Sequence, residues 1–233
     1  VSETAVPRPG PQDAGAAEHE HPEPVVDADG LGVRTRRGWI FSGVALRALA
    51  GDVVAVAGPG GSGRTSLLLA LAGRMRPSAG ELRVCGRELP GDEREVRRAA
   101  AVARAGGAAV LDPDLTVGDH VRERTLTVKG LRADAFEDVR ALVGLSAGDR
   151  ALVGDIGSAE GTRLALGLAL LESPRLIVLD DLDDGAGLAA QRALWETAAR
   201  VARSSDAAVV ASAADAAPAE GSADVLVRLG EGA

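Results

Sequence analysis

The sequence predicts an α/β fold, a sheet flanked by helices with a β-rich stretch ahead of it and a helical stretch within it. Three observations carry that prediction. Residues 53–57 (Val-Val-Ala-Val-Ala) and 176–179 (Leu-Ile-Val-Leu) are continuously apolar, as strands are when helices cover both faces of a sheet. Apolar runs of strand length alternate along the chain with segments of helical length. Between about 114 and 171 the strand signals stop and helical patterns follow one another, which predicts a helical subdomain.

Taken in order, residues 1–30 hold five of the eleven prolines and no apolar run that could form a core face, so they read as a disordered, acidic, Pro-rich tail. Strands are predicted at 39–46, 52–57, 81–87, 176–179 and 207–211, and helices at 64–75, 117–128, 133–143, 162–171 and 188–202. Glu93, Arg94, Glu95, Arg97 and Arg98 mix both signs, the pattern of a charged helix surface. Residues 31–233 are thus expected to form one domain.

The chain has 233 residues, with 26 Lys and Arg against 34 Asp and Glu, a formal charge of -8. Seven acidic residues and one basic residue lie in 1–30, so the tail carries -6 and the remaining residues only -2. A nucleic-acid-binding surface needs clustered cations, and a base-stacking platform needs aromatics. With Trp39, Trp195, Phe41 and Phe136 the only aromatic residues, both are disfavoured. Cys85 is the single cysteine, which excludes an intramolecular disulfide and predicts a reduced, cytosolic protein. The start lacks the basic and apolar regions of a secretory signal, and the longest oily segment, 164–171, is under half the length needed to span a bilayer. Any membrane role is expected to come through a partner.

The chemistry is concentrated in two places. The strand at 53–57 runs into Gly58, Pro59, Gly60, Gly61, Ser62, Gly63, Arg64, Thr65 and Ser66, and then into an apolar helix. Such a loop bares successive backbone N–H groups around a phosphate, and the helix aims its positive end at the same charge. Every defined position of the pattern G-x-x-x-x-G-K-[ST] is met except that Arg64 stands where Lys belongs. Thirty glycines make a glycine-rich turn unremarkable; the strand before and the helix after decide for the phosphate loop. Thr65 is the expected Mg²⁺ ligand. Guanidinium is forked and bulkier than an ammonium, so binding could survive at Arg64 while catalysis suffers. Far along the chain, the strand at 176–179 ends in Asp180 and Asp181, where the first carboxylate can hold the metal and the second can orient a water. An acidic loop extended by Asp183 and Asp184 is the competing reading.

With both motifs in this order, the chain resembles the nucleotide-binding domain of ATP-binding cassette (ABC) transporters from about Leu31 to Glu231. Leu115-Thr116-Val117, Leu164-Ala165-Leu166 and the trailing run from Ala223 to Leu229 also resemble that family's phrases. The resemblance implies a P-loop NTPase cassette, a mixed sheet with an early antiparallel β-rich stretch. It implies ATP and Mg²⁺ as ligands, a homodimer or heterodimer of nucleotide-binding domains, and a membrane permease subunit as partner at the inner face of the cell membrane. In that pairing ATP lies between the P-loop of one domain and a signature sequence of the other. Here the signature falls on Ile156, Gly157, Ser158, Ala159 and Glu160, so its phosphate-contacting Ser has moved and one Gly has become Ala. The family's Gln falls on Gly107, its switch His on Ala214, and its Glu after the metal Asp on Asp181. A carboxylate withdrawn by one C–C bond, on the order of 1 Å, can cost about 10²-fold in rate. The expected function is therefore an ATP-binding transporter subunit with slow hydrolysis. The alternative is a non-hydrolysing regulatory or scaffold subunit, and a small-molecule kinase fits the long helical stretch and late Asp pair less well.

The remaining candidates read as structural. His19 and His21 lie in the acidic tail without further ligands, His120 is expected at a surface or facing a partner, and Cys85 on a strand and Trp195 on an apolar helix face are expected to pack. Trp39 falls later than the family's adenine-stacking position, near Thr35, and reads as a strand core residue.

Overall fold

The computed structural model describes residues 22–106, 109–132 and 134–230. Two sheets form from nine strands among them. β1 (Val26–Thr35), β2 (Gly38–Ala48), β4 (Ala79–Val84) and β5 (Arg87–Leu89) make an antiparallel sheet in the order β2-β1-β4-β5. β3 (Val53–Ala57), β6 (Ala100–Arg104), β7 (Leu176–Leu179), β8 (Ala208–Ala213) and β9 (Val225–Arg228) make a parallel sheet in the order β6-β7-β8-β3-β9. The helices are α1 (Arg64–Leu71), α2 (Glu93–Ala99), α3 (Val117–Thr127), α4 (Ala135–Val143), α5 (Ser158–Leu170) and α6 (Leu188–Ser205).

Side chains alternate across a strand, and this divides the interior in two. Val54 and Val56 of β3, Val178 of β7 and Val210 of β8 face a core shared with the antiparallel sheet and with Leu67, Leu68 and Leu71 of α1. Val53, Ala55, Ile177, Leu179, Val209 and Ala211 face the other core, filled by α5, α6 and the residues of α3 and α4 that reach it. The continuous apolar runs at 53–57 and 176–179 are therefore strands buried on both faces, as expected. Each fully buried Leu contributes about 2 kcal/mol, so α1 is held against the sheet by Leu67, Leu68 and Leu71 without an N-terminal side-chain cap. Its first turn is left open at the loop.

Several elements differ from the sequence expectation. β1 begins at Val26, inside the stretch assigned to the tail, because Val26 and Ala28 point into the first core while Asp27 and Asp29 stay outside. Residues 1–21, with His19 and His21, lie outside the described residues. The expected strand 81–87 is a hairpin: Cys85 and Gly86 both have positive φ (51° and 72°), the conformation that a two-residue turn between twisted strands requires. Cys85 is thus a half-buried turn residue; burial pushes its thiol upward in pKa. β6 was not expected, since its alanines carry little strand signal. Between residues 105 and 175 neither sheet gains a strand among the described residues; α3, α4, α5 and a short 3-10 turn (Val153–Asp155) occupy this stretch. α3 starts with a capping box, Thr116 accepting from the Asp119 amide and Asp119 from the Thr116 amide. His120 is buried rather than at a surface, its Nε2–H donating to the Asp112 carbonyl at 3.1 Å. Trp195 is fully buried as expected. No helix among the described residues is long and apolar enough to cross a membrane.

Candidate functional site

The C-terminal ends of β3, β7 and β8 converge on one place in the parallel sheet. From β3 the chain enters the loop at 58–66. Gly63, at φ 94°, stands immediately before α1, where an added Cβ would lie 2.9 Å from the Ile40 carbonyl oxygen. At Gly58 a Cβ would meet the Leu229 carbonyl oxygen and Ser62 Oγ, each at 2.7 Å. These two glycines are what let the loop turn tightly over the sheet. The Ser62 hydroxyl is buried within the loop and has no hydrogen-bond partner, an arrangement that costs free energy unless something else fills it. Along the outer side of the loop, an open groove of about 610 Å³ runs between Pro59–Ser62, β2 from Trp39 and the end of β9. Trp39 is not a core residue: it is 45% exposed, and the Arg34 guanidinium lies over its ring at 5.5 Å.

The loop meets the end of β7 through two contacts. Thr65 Oγ1 donates to Asp180 Oδ2 at 2.5 Å. Arg64 Nη1 donates to the Gly58 carbonyl and Nη2 to Asp181 Oδ1, each at 2.7 Å. Arg64 therefore folds back over its own loop. Asp180 is 2% exposed, and its second oxygen accepts from Ser212 Oγ at 2.5 Å, so the buried carboxylate has a donor on each side. Ser212 Oγ also accepts from the Asp181 amide at 2.8 Å. Asp181 adopts φ 46°, a left-handed conformation costing on the order of 1 kcal/mol. Burial raises the Asp181 carboxyl above its usual pKa, and the Asp180 charge raises it further, although Arg64 pulls the other way. The upward shift alongside a 2.7 Å ion pair is consistent, because Arg64 compensates only part of the cost of burial and of the neighbouring Asp180 charge.

Hard oxygen donors suit Mg²⁺, which takes one or two protein ligands and leaves the rest of its shell to water and phosphate oxygens. Thr65 and Asp180 are such a pair, and the unpartnered Ser62 hydroxyl lies in the adjoining loop. No group of three or more His, Cys, Asp or Glu placed to hold a metal ion exists among the described residues. The residues present fit Mg²⁺ only as part of a phosphate complex.

The residues expected to form the other half-site lie at the start of α5. Gly157, at φ 75°, precedes the helix, and Ser158, Ala159 and Glu160 form its first turn. Glu160 is turned inward on its own chain. It accepts from the Ser146 amide, the Ser146 hydroxyl and the Ala147 amide at 2.8, 2.8 and 2.9 Å, and pairs with Arg163 at 2.7 Å. Burial acts to raise its pKa, but these donors outweigh it and hold the carboxyl below its ordinary value.

The family model described as "ABC transporter" matches residues 41–183, more than half of the chain. The chain belongs to the ABC transporter family. Among similar proteins, the Nod factor export ATP-binding protein I of Burkholderia thailandensis is 31% identical over 164 residues, which is 67% of this chain and 52% of that protein. The cytochrome c biogenesis ATP-binding export protein CcmA of Pseudomonas fluorescens is 30% identical over 158 residues, 68% of this chain and 74% of that one. The chain thus spans about half the length of the Nod factor relatives it matches. Solved structures share the fold: cbiO1 from Clostridium perfringens, part of the ABC transporter complex cbiONQ, has a TM-score of 0.75 at 16% identity, covering 90% of this chain and 86% of that one. An ATP-binding cassette bound to ADP and Pi has a TM-score of 0.72 at 16% identity, covering 89% and 95%.

In this ABC family member the structure brings Gly58–Thr65, Asp180 and Asp181 together, and sets residues 157–160 at a separate helix start. Gly107 lies outside the described residues. Ala214 follows β8, and its amide donates to Asp183 Oδ2 at 3.0 Å. Asp183 is therefore a backbone anchor rather than a spare charge in an acidic loop. Ser212 and Arg104 were missed by the sequence reading. Ser212 had a signal: it is the one hydroxyl in the otherwise apolar β8, where a polar group needs a partner.

Proposed function

We propose that this chain is the ATP-binding subunit of an ABC-type transporter, binding Mg²⁺-ATP and acting on a membrane permease partner as one member of a pair of nucleotide-binding domains. The observation that carries the reading is the placement of Thr65 on Asp180 at 2.5 Å beneath a glycine loop whose Ser62 hydroxyl is buried without a partner. The loop amides and the start of α1 would hold the phosphates, Arg64 would turn from Asp181 to grip them, and Thr65 and Asp180 would hold the metal. Mg²⁺ bound there supplies charge neutralisation at the outer phosphates. Residues 157–160 would face the phosphate loop of the partner domain. The names of the two relatives couple ATP binding with export, which supports a transport role. The chain would sit at the inner face of the membrane through its permease.

Hydrolysis is slow on this reading. Asp181 is engaged by Arg64 and is one methylene shorter than Glu, and Ala214 after β8 has no imidazole to offer. The Arg64–Asp181 pair also favours the second reading, a regulatory or scaffold subunit that binds nucleotide without turning it over. Calorimetric titration of the purified chain with ATP, with and without Mg²⁺, tests binding; no Mg²⁺-dependent binding at millimolar ATP would sink the proposal. Turnover separates the two readings. Activity lost in Asp180→Asn supports the slow motor, and none in wild type or in Asp181→Glu with Ala214→His supports the scaffold.

A further inference from the structure

Arg104 closes β6 where the parallel pairing with β7 slips: Val102 pairs with Val178 and Arg104 with Leu179, leaving Ala103 as an extra residue. Such a bulge re-aims the side chains beside it. It places Arg104 across the end of β7, which it grips twice. Its carbonyl accepts from the Asp180 amide at 2.8 Å, and its guanidinium donates to the chain beyond, Nε to the Asp180 carbonyl at 3.1 Å and Nη2 to the Asp181 carbonyl. Nη1 donates to Thr162 Oγ1 at 3.2 Å, and Thr162 is a fully buried residue of α5, one turn beyond Ser158.

These contacts fall on the segment that has to hold an unfavourable shape. Asp181 is left-handed at φ 46°, and its two successive carbonyl groups at 180 and 181 both point into one guanidinium fork. A planar fork with several fixed donors can hold two carbonyls and a hydroxyl at once; an ammonium on a flexible stem cannot fix their relative directions. With Ser212 securing the Asp181 amide and Asp180 Oδ1, Arg104 completes the set of contacts that aim Asp180 at Thr65.

We propose that Arg104 is a positioning residue that clamps the Asp180–Asp181 turn, presenting the Asp180 carboxylate to the metal of a bound nucleotide, and ties that turn to the first turns of α5. The two half-sites of this chain are thereby joined through one side chain. The proposal rests on the Mg²⁺-ATP reading for its functional part, and its experiment separates the two.

Wild type, Arg104→Lys and Arg104→Met are compared by amide hydrogen exchange without nucleotide and by ATP titration with and without Mg²⁺. Removal of the clamp is expected to speed exchange at Asp181 and Leu182 about tenfold, with Ala55 in β3 unchanged. Affinity for ATP without Mg²⁺ stays within about twofold of wild type, while the gain in affinity on adding Mg²⁺ falls about tenfold in Arg104→Met and by less in Arg104→Lys. A residue that only stabilises the fold would not single out the Mg²⁺-dependent part. Unchanged exchange at Asp181 and Leu182 overturns the clamp, and an unchanged Mg²⁺ gain in a variant whose exchange has risen overturns its role toward the metal. If Arg104→Met does not fold, Arg104→Lys decides both. If wild type binds no Mg²⁺-ATP, the nucleotide reading and the metal role fall together, and exchange alone decides the clamp.

Discussion

Replacing Asp181 by Asn should remove the ion pair that holds Arg64 and so tighten ATP binding. Arg64 Nη2 sits 2.7 Å from Asp181 Oδ1, with the Arg64 side chain 13% exposed and that of Asp181 47% exposed. A hydrogen bond between charged groups contributes about 1.5–3 kcal/mol when protected from water, but the half-exposed carboxylate brings this pair toward surface values, so about 1 kcal/mol is the working figure. If Arg64 has to leave Asp181 to reach phosphate, that energy opposes binding, and its removal should raise affinity about fivefold. Losing a negative charge near the phosphates would raise affinity by itself, so the measurement is a double-mutant cycle. ATP affinity is determined by calorimetry for wild type, Asp181→Asn, Arg64→Met and the double variant. If Asp181 acts through Arg64, the gain from Asp181→Asn shrinks to less than about twofold in the Arg64→Met background. The same gain in both backgrounds would refute the lock and leave plain charge repulsion; no gain at all would refute both.

Three further outcomes follow from the same geometry. Glu160→Gln should cost about 1 kcal/mol at neutral pH by urea unfolding; since the folded carboxyl lies below the ordinary 4.5, its contribution is complete above that value and disappears as the pH falls through the folded pKa, so the two proteins should converge in acid. Ser212→Ala leaves the buried Asp180 with one donor fewer and the Asp181 amide without its partner, at a cost of about 2 kcal/mol in the same assay. Gly63→Ala places a Cβ 2.9 Å from the Ile40 carbonyl oxygen at φ 94°, and should cost about 2 kcal/mol or more in stability.

The loop and the strand pairs that frame it could be read from the sequence because their signals are local. Glycines between an apolar strand and an apolar helix, and two aspartates after another apolar strand, each specify their conformation within a few residues. What could not be read depends on distant partners. β6 is Ala-Ala-Val-Ala-Arg and becomes a strand only because Leu176–Leu179 lies beside it, and residues 26–29 join the antiparallel sheet through pairing with residues near 47 and 83. The pairing of Arg64 with Asp181, 117 residues away, and the three-way reach of Arg104 likewise have no sequence pattern. Composition misled at one point: Asp183 sits in an acidic run, yet it serves as an acceptor for a single backbone amide at Ala214.

The most direct test of the account is a crystal structure of the chain with a non-hydrolysable ATP analogue and Mg²⁺. The account predicts phosphates in the loop at 58–66, Arg64 turned from Asp181 to the phosphates, and the metal beside Thr65 and Asp180. Nucleotide absent from that loop, or bound there with Arg64 still on Asp181 and no metal between Thr65 and Asp180, would contradict it.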